Sequence, residues 1–228
     1  MSVAENLNAI DKTISKICKK RSYDKHDVEL VAVSKRQPLD KIKALLDSGH
    51  LTFGENIIQD AIQTWEKSGF IDQYPDLKLH FIGSLQTNKA EDAVLLFDVI
   101  ETVDRPKLVD AIVKASEKHE KSVECYIQVN TGDEPQKSGV LPADLDDLVK
   151  YAKNTNLNVT GLMCIPPQNE PSALHFAFLK TLAERHGLKN ISMGMSDDFE
   201  KAINLGATHI RIGTAIFGER SSEASSER

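Results

Sequence analysis

Cysteine is scarce in this sequence, with only Cys18, Cys125 and Cys164 among 228 residues. The count is odd and the spacings are wide, so the cysteines predict neither a disulfide framework nor a zinc knuckle. The seven histidines include no pair at the spacing that would place two metal ligands on one helix face. We therefore expect a protein without a metal site that works in a reducing compartment, the cytoplasm.

Long apolar runs and an excess of positive charge are also missing. No stretch approaches the roughly 18 consecutive apolar residues of a membrane-spanning helix. Residues 1–21 contain acids and lysines instead of the apolar core of a signal peptide. The 34 acidic and 28 basic residues leave a net charge of −6, which disfavours nucleic acid or a membrane surface as the main partner. A few backbone amides and one or two cations can still bind a small anion.

The remaining composition fits a single globular domain that spans residues 1–228. Hydrophobic residues make up 40% of the chain and charged residues 27%, as in ordinary soluble domains, and single α/β barrels often have this length. Residues 221–228 are rich in Ser and Glu and predict a flexible tail. Residues 1–21 predict an amphipathic N-terminal helix, because apolar side chains recur there at helical spacing: Val3, Leu7, Ile10, Ile14 and Ile17.

Short apolar runs alternate with amphipathic stretches eight times along the chain. Nearly continuous, β-branched runs are typical of strands buried on both faces, and strands that alternate with helices pair in parallel through right-handed crossovers. Eight such units favour an α/β fold that closes into one (β/α)8 TIM barrel, with an open doubly wound sheet as the alternative. The predicted strands are Glu29–Ser34, Leu51–Gly54, Leu79–Gly83, Val99–Val103, Val123–Val129, Val159–Ile165, Ile191–Met195 and His209–Ile212. The clearest predicted helices are Leu39–Asp47, Lys107–Lys118, Leu145–Lys153 and Ala173–Arg185.

Lys35 stands at the end of the first predicted strand, directly after Val31–Ser34. Functional side chains of a TIM barrel gather at the carboxyl ends of its strands. Desolvation in a walled pocket lowers the pKa of an amine and frees it to attack a carbonyl carbon. Position alone leaves a surface lysine in a loop as the alternative.

The ends of the seventh and eighth predicted strands indicate a phosphate site. Ser196 or Asp197 is the predicted N-cap of the helix that follows strand seven, and the first amides of a helix suit an anion. Gly213, next to Thr214, lets a backbone amide approach a ligand closely. Barrel enzymes often bind phosphate between these two loops. Simple capping and a tight turn are the alternatives.

Arg211 alternates with Ile210 and Ile212 on the eighth predicted strand, so its side chain points to the other side of the strand. We predict that it lies inside the barrel near the mouth, where a buried guanidinium needs an acceptor. A pyridine nitrogen would serve, and a salt bridge to an acid such as Glu55 is the alternative.

Seven sequence blocks occur in one order over nearly the whole chain. They are Val33–Lys35, Phe53–Asn56, His80–Lys89, Gln128–Asn130 with Lys137–Gly139, Gly161–Met163, Ser192–Ser196 and Arg211–Gly218. No single block is decisive, but together they closely resemble the pyridoxal phosphate homeostasis protein family. The resemblance implies the fold of the N-terminal barrel of alanine racemase, a fold-type III pyridoxal phosphate protein.

The same resemblance implies pyridoxal 5′-phosphate as the cofactor. Lys35 would hold it as an aldimine, with Ser196, Gly213 and Thr214 at the phosphate and Arg211 at the pyridine nitrogen.

Four weaker assignments complete the predicted site. Asn56 would lie near the phenolic oxygen of the cofactor ring, and Met163, His80 and Gly83 would line the pocket. Ordinary core packing is the alternative for Met163, and a hydrogen-bonded interior position is the alternative for His80.

Carrier chemistry fits these residues better than catalysis. An arginine at the ring nitrogen disfavours ring protonation and weakens the electron sink, and a racemase also needs a base on each face of its substrate. In enzymes related to alanine racemase the second base is a tyrosine from an additional domain. The chain ends just after its eighth predicted strand, so we expect no such domain, and no tyrosine stands at the end of a predicted strand.

We therefore expect a cytoplasmic, monomeric protein of intracellular pyridoxal phosphate homeostasis without catalytic residues. Apoenzymes that depend on pyridoxal phosphate are the expected recipients. A small amino-acid racemase that uses the same cofactor stays open, as does a Schiff-base aldolase that acts on a sugar phosphate.

Overall fold

The computed structural model describes residues 2–22, 24 and 27–219, and in this part of the chain eight parallel strands close into a barrel. The strands follow one another in chain order, and the first strand pairs with both the second and the eighth. Ala32 thus lies opposite Phe53 on one side and Ile212 on the other. The strands are β1 (Glu29–Val33), β2 (Thr52–Glu55), β3 (Lys78–Phe81), β4 (Val99–Val103), β5 (Glu124–Gln128), β6 (Val159–Met163), β7 (Asn190–Ser192) and β8 (His209–Ile212).

The predicted TIM barrel is confirmed, and the open sheet is wrong because the first and last strands pair. Each predicted strand overlaps an observed one, and the main differences lie at the carboxyl ends. β6 stops at Met163 instead of Ile165, just before Pro166 and Pro167, which have no amide donor for a ladder. β7 stops at Ser192, because Gly194 adopts a left-handed φ of 92° that leaves the strand conformation.

The helices lie between the strands, and the four clearest predictions agree with the structure to within one residue at each end. Residues in the left-handed conformation end two of these helices, Glu120 after Pro106–His119 and Gly187 after Ser172–His186. The helices are α1 (Val3–Arg21), α2 (Leu39–Asp47), α3 (Ile58–Ala61), α4 (Phe70–Gln73), α5 (Ala90–Leu96), α6 (Pro106–His119), α7 (Leu145–Asn154), α8 (Ser172–His186), α9 (Phe199–Asn204) and α10 (Thr214–Phe217). A π-helical turn, Ile62–Glu66, continues α3, and a short 3₁₀ turn, Thr87–Lys89, precedes α5.

Helix α1 precedes the barrel, as predicted, and covers the seam where the barrel closes. It begins with a reciprocal cap in which the Ser2 hydroxyl accepts from the Glu5 amide and the Glu5 carboxylate accepts from the Ser2 amide. All five apolar residues of its predicted stripe are buried. They pack towards α2, α9 and α10, and the Asn6 side chain donates to the carbonyl of Ile216 at 2.8 Å.

The barrel interior contains polar side chains where TIM barrels usually have layers of branched apolar residues. His80 lies 2.7 Å from Glu101, and the Tyr126 hydroxyl lies 3.1 Å from His209. All four side chains are buried, so these hydrogen bonds replace the water that each group loses on folding.

Two further predictions concern what the chain lacks. Within the described residues, no helix combines the length and apolar character needed to cross a membrane. In the same part of the chain, no three His, Cys, Asp or Glu side chains are grouped so that they could hold a metal ion. The predicted tail, 221–228, lies outside the described residues.

Candidate functional site at the barrel mouth

A cavity of about 440 Å³ opens at the carboxyl ends of the strands. Its size lies in the range of small-molecule pockets. Most of the predicted site residues line it: Lys35, Asn56, Gly83, Ser196, Arg211, Gly213 and Thr214. Residues from loops far apart in sequence therefore meet in one place, as the barrel topology predicts.

Lys35 is presented by a tight turn directly after β1. The amide of Gln37 donates to the carbonyl of Ser34 at 2.9 Å, which closes the turn around Lys35 and Arg36. Arg36 has a φ of 57°, a left-handed conformation that is uncommon for a residue other than glycine. Because such a conformation persists only where the surroundings hold it, the turn fixes the backbone position of Lys35 at the cavity wall.

Behind this turn lies a buried carboxyl group, Glu55, which is 1% exposed. The Ser34 hydroxyl donates to Glu55 Oε1 at 2.6 Å. Burial raises the pKa of Glu55 to about 7, against the lowering effect of the hydrogen bond from Ser34. Ser34 and Glu55 directly precede Lys35 and Asn56 in the chain, so this hydrogen bond links the two strand ends that carry these cavity residues.

Gly83 is required by the close approach of the ends of β2 and β3. A Cβ atom at this position would lie 2.1 Å from the carbonyl oxygen of Asn56. The amide of Ile82 also donates to the carbonyl of Glu55 at 2.8 Å. Any side chain at position 83 would therefore push Asn56 out of its place on the cavity wall.

The loop after β7 differs from the predicted N-cap. Neither Ser196 nor Asp197 caps α9, because the helix begins later, at Phe199, with Asp198 at the N-cap position. The Ser196 hydroxyl instead accepts a hydrogen bond from the amide of Ala215 at 3.2 Å. This bond joins the loops after β7 and β8, the two loops predicted to form the phosphate site.

Gly213 and Thr214 form the β8 side of the cavity. Gly213 precedes the short helix α10, which begins at Thr214. A Cβ atom at Gly213 would lie 3.5 Å from Val33, an ordinary contact. The protein's own packing therefore does not demand glycine here, and the absent side chain leaves the cavity wall open to a ligand.

Arg211 is 3% exposed and reaches the cavity from inside the barrel, as predicted. The alternative acid, Glu55, is not its partner. Arg211 donates to the Ser192 hydroxyl at 2.5 Å and to the carbonyl of Cys164 at 2.9 Å. The nearby acid is Glu101 on β4, 3.8 Å away.

Two predicted lining residues, His80 and Met163, are not among the residues that line the cavity. Both lie deeper in the barrel and are fully buried. His80 faces Glu101, and Met163 packs with Val99 and Tyr126. His80 is therefore a hydrogen-bonded interior histidine and Met163 a core methionine, the alternatives given for them above.

Sequence reasoning missed several residues that line the cavity. Those residues are Val33, Ile82, Ile165 and Met195. All four are apolar and belong to the predicted strands. Asp197, which the sequence predicts only as an alternative N-cap, also lines the cavity. The rule that side chains alternate along a strand would have found Val33, two residues before Lys35.

Comparison with known proteins identifies relatives over nearly the whole chain. The family described as alanine racemase, N-terminal domain, matches residues 6–221. The pyridoxal phosphate homeostasis protein of Haemophilus influenzae is 36% identical over 239 residues and covers 100% of both chains. The protein of the same name from Escherichia coli K12 is 36% identical over 232 residues, which are 96% of this chain and 97% of that one.

This chain belongs to the pyridoxal phosphate homeostasis protein family. Among solved structures, PipY of Synechococcus elongatus PCC7942 with pyridoxal phosphate bound has a TM-score of 0.78 at 32% identity, over 95% of this chain and 100% of that one. The same protein without the cofactor has a TM-score of 0.83.

The family's barrel also occurs in larger enzymes. An alanine racemase of Clostridium difficile 630 has a TM-score of 0.70 at 15% identity, over 97% of this chain and 58% of that one. At this identity the likeness shows the shared fold alone.

Proposed function

We propose that this protein binds pyridoxal 5′-phosphate in the mouth cavity, attaches it covalently through Lys35, and takes part in pyridoxal phosphate homeostasis as a carrier. The observation that carries the proposal is the convergence of one lysine, one buried arginine and two hydroxyl side chains, Ser196 and Thr214, on a single cavity. The names of the relatives and the cofactor in the PipY structure support it.

The cavity fits the chemical parts of the cofactor. The Lys35 amine is the group that reacts with an aldehyde, and the walls formed by Val33, Ile82 and Ile165 suit an aromatic ring. Hydroxyl groups at Ser196 and Thr214, beside the open wall at Gly213, suit phosphate oxygens. These groups come from the ends of different strands, β1 for Lys35 and β7 and β8 for the hydroxyls, so the lysine and the hydroxyls would bind different parts of the cofactor.

Arg211 and Asn56 fit the remaining polar atoms of the cofactor. We assign Arg211 to the pyridine nitrogen and Asn56 to the phenolic oxygen side of the ring. When bound, the cofactor supplies an electron-withdrawing ring. A guanidinium is effectively always protonated, so it donates a hydrogen bond to the ring nitrogen and disfavours a proton there. Arg211 thereby favours retention of the cofactor over carbanion chemistry.

Racemisation is the second candidate function, and the cavity offers few groups for it. A racemase needs two bases, one on each face of the substrate. No tyrosine, cysteine or histidine is among the residues described as lining the cavity. Tyr74 and Tyr151 bind surface aspartates, and Tyr126 contacts His209 in the barrel interior; Tyr23 lies outside the described residues.

The first test locates the cofactor. The protein is saturated with pyridoxal phosphate, reduced with borohydride, digested, and mapped by mass spectrometry. We expect a visible absorption band that disappears on reduction and a pyridoxyl group on Lys35. Lys35→Ala should abolish both. Lys41→Ala should retain them, because Lys41 donates to the carbonyl of Phe217 at 2.9 Å and does not line the cavity. A pyridoxyl group found mainly on another lysine of the unaltered protein would contradict the assignment.

The second test separates carrier from racemase. The loaded protein is mixed with an apoenzyme that needs pyridoxal phosphate, and recovery of the apoenzyme's activity is followed. In parallel, L-amino acids are incubated with the loaded protein in D₂O. A carrier activates the apoenzyme and leaves Cα–H unexchanged. Deuterium at Cα together with D-amino acid would favour racemisation.

The proposal extends to the protein's organisation and setting. We propose one barrel domain over residues 1–228 that acts as a monomer in the cytoplasm and delivers the cofactor to pyridoxal phosphate-dependent apoenzymes. The three cysteines support a reducing compartment, since all of them are buried as thiols. Light scattering at several protein concentrations measures the oligomeric state, and a mass that rises to twice that of the chain would contradict the monomer.

A further inference from the structure

A chain of buried hydrogen bonds lies beneath the cavity arginine. Arg211 Nη1 donates to Ser192 Oγ at 2.5 Å, and Ser192 Oγ donates to Glu101 Oε2 at 2.6 Å. His80 Nδ1 lies 2.7 Å from Glu101 Oε1. All four side chains are at most 3% exposed, so bulk water does not compete for these bonds.

We infer that Glu101 is a positioning residue for Arg211. It holds the guanidinium in place through Ser192 and balances its positive charge. The inference rests on the proposed function, because the group that Arg211 would meet in the cavity is the ring nitrogen of the cofactor. Glu101 itself is not among the residues that line the cavity. It acts on a ligand only by way of Arg211.

The direction of the hydrogen bonds is set by the two ends of the chain. A guanidinium only donates and a carboxylate only accepts. The single hydroxyl proton of Ser192 must therefore point to Glu101, which leaves the lone pairs of Ser192 for Arg211. Without the carboxylate, the hydroxyl would be free to rotate, and the acceptor position below Arg211 would no longer be defined.

Both terminal nitrogens of the guanidinium are anchored on the side of the barrel interior. Nη1 binds Ser192, while Nη2 donates to the Cys164 carbonyl at 2.9 Å. Two contacts on a planar group fix its rotation as well as its position. The Glu101 carboxylate, 3.8 Å from Nη1, supplies the opposite charge that a buried cation requires.

The chain offers a matched control at the other end of the barrel. Glu29 and His209 form a second glutamate–histidine pair, at 3.2 Å. Glu29 is about one-third exposed, has Lys78 as another partner, and has no contact with Arg211 among those the structure describes. Glu29→Gln therefore makes the same chemical change as Glu101→Gln without disturbing the arginine.

The test measures how well the protein recognises the ring nitrogen. Dissociation constants are determined for pyridoxal phosphate and for an analogue that carries C–H in place of that nitrogen. A hydrogen bond from a charged donor predicts that the unaltered protein prefers pyridoxal phosphate by roughly tenfold or more. We expect Glu101→Gln to reduce this preference to within about twofold while the analogue binds as before. Glu29→Gln should keep the full preference.

Ser192→Ala is the second variant, and it keeps the inference testable if Glu101→Gln fails to fold. Circular dichroism and thermal melting establish which variants are folded. The bridge between Arg211 and Glu101 is lost in Ser192→Ala, and the preference should fall here too. A folded Glu101→Gln or Ser192→Ala protein with the full preference overturns the inference and leaves the proposed function intact. Failure of the unaltered protein to bind either compound would overturn the proposed function as well.

Discussion

Two buried glutamates flank the candidate site, and their pKa values shift in opposite directions. Glu55 lies behind the Lys35 turn and Glu101 lies beneath Arg211, and each is at most 1% exposed. Burial raises the pKa of Glu55 to about 7, because the bond from Ser34 offsets it only in part. Burial also acts to raise the pKa of Glu101, but His80, Arg211 and Ser192 together hold that pKa below its ordinary value.

The comparison shows that the partners of a buried carboxyl decide its charge more than its depth does. Desolvation penalises the charged form in both places, and only hydrogen bonds and opposite charges can reverse that penalty. The partners beneath Arg211 thus keep Glu101 charged, whereas Glu55, behind Lys35, is half protonated near neutral pH.

The largest expected effect comes from removing the charge of Glu101. Glu101→Gln leaves the guanidinium of Arg211 buried without its countercharge, and loss of one partner of a buried ion pair costs about 3 kcal/mol or more of unfolding free energy. Urea denaturation at pH 8 measures the change. An unfolding free energy within about 0.5 kcal/mol of that of the unaltered protein would contradict the difference between the two glutamates, because Glu101 would then behave like a surface residue.

Glu55→Gln, in contrast, should raise the unfolding free energy at pH 8. The folded-state pKa of about 7 lies above the ordinary value of 4.5, so the folded protein binds more protons than the unfolded chain between these values. Stability therefore falls as pH rises from 4.5 to 7 and is level above that range. The fall in unfolding free energy that Glu55 causes over this pH range is on the order of 3 kcal/mol.

Urea denaturation of Glu55→Gln across the same pH range tests this. Glutamine does not titrate, so we expect the variant to lack that fall and to be more stable than the unaltered protein at pH 8, less the contribution of the Ser34 hydrogen bond. Identical pH profiles for the two proteins would contradict the raised pKa. Glu29→Gln serves as the control, because the pKa of Glu29 is lowered by its bond to His209 and the charge of Lys78 despite partial burial.

The smallest expected effect comes from the hydrogen bond between Ser34 and Glu55. Ser34→Ala removes the hydroxyl that donates to Glu55 at 2.6 Å, at a cost of about 1 kcal/mol. Because the hydroxyl favours the charged carboxylate, its loss should raise the pKa of Glu55 further and extend the fall in stability to higher pH. The pH dependence of unfolding measures this shift. A shift to lower pH would mean that Ser34 stabilises the protonated form.

Much of the site could be predicted because a barrel converts order along the chain into proximity. Lys35, Ser196, Arg211 and Gly213 all lie at or just after strand ends, and all such ends meet at one mouth. Depth along a strand could not be predicted in the same way. His80 lies on the third predicted strand. The strand register places it opposite Val99, below the cavity. The N-cap of α9 was also wrong, because Ser196 bonds across to the next loop instead of to its own helix.

The amino-acid sequence alone predicts the alternation of strands and helices, favours closure into a barrel, and identifies the lysine and arginine of the mouth. Hydrophobic periodicity and the order of the seven blocks can both be read without coordinates. Which acid lies near Arg211 follows only from the folded barrel. Glu55 was the acid considered from the sequence, but it is bonded to Ser34 behind the Lys35 turn, while Glu101 faces the interior from β4. That choice depends on which side chains the closed barrel brings together across its interior, and no short stretch of sequence contains it.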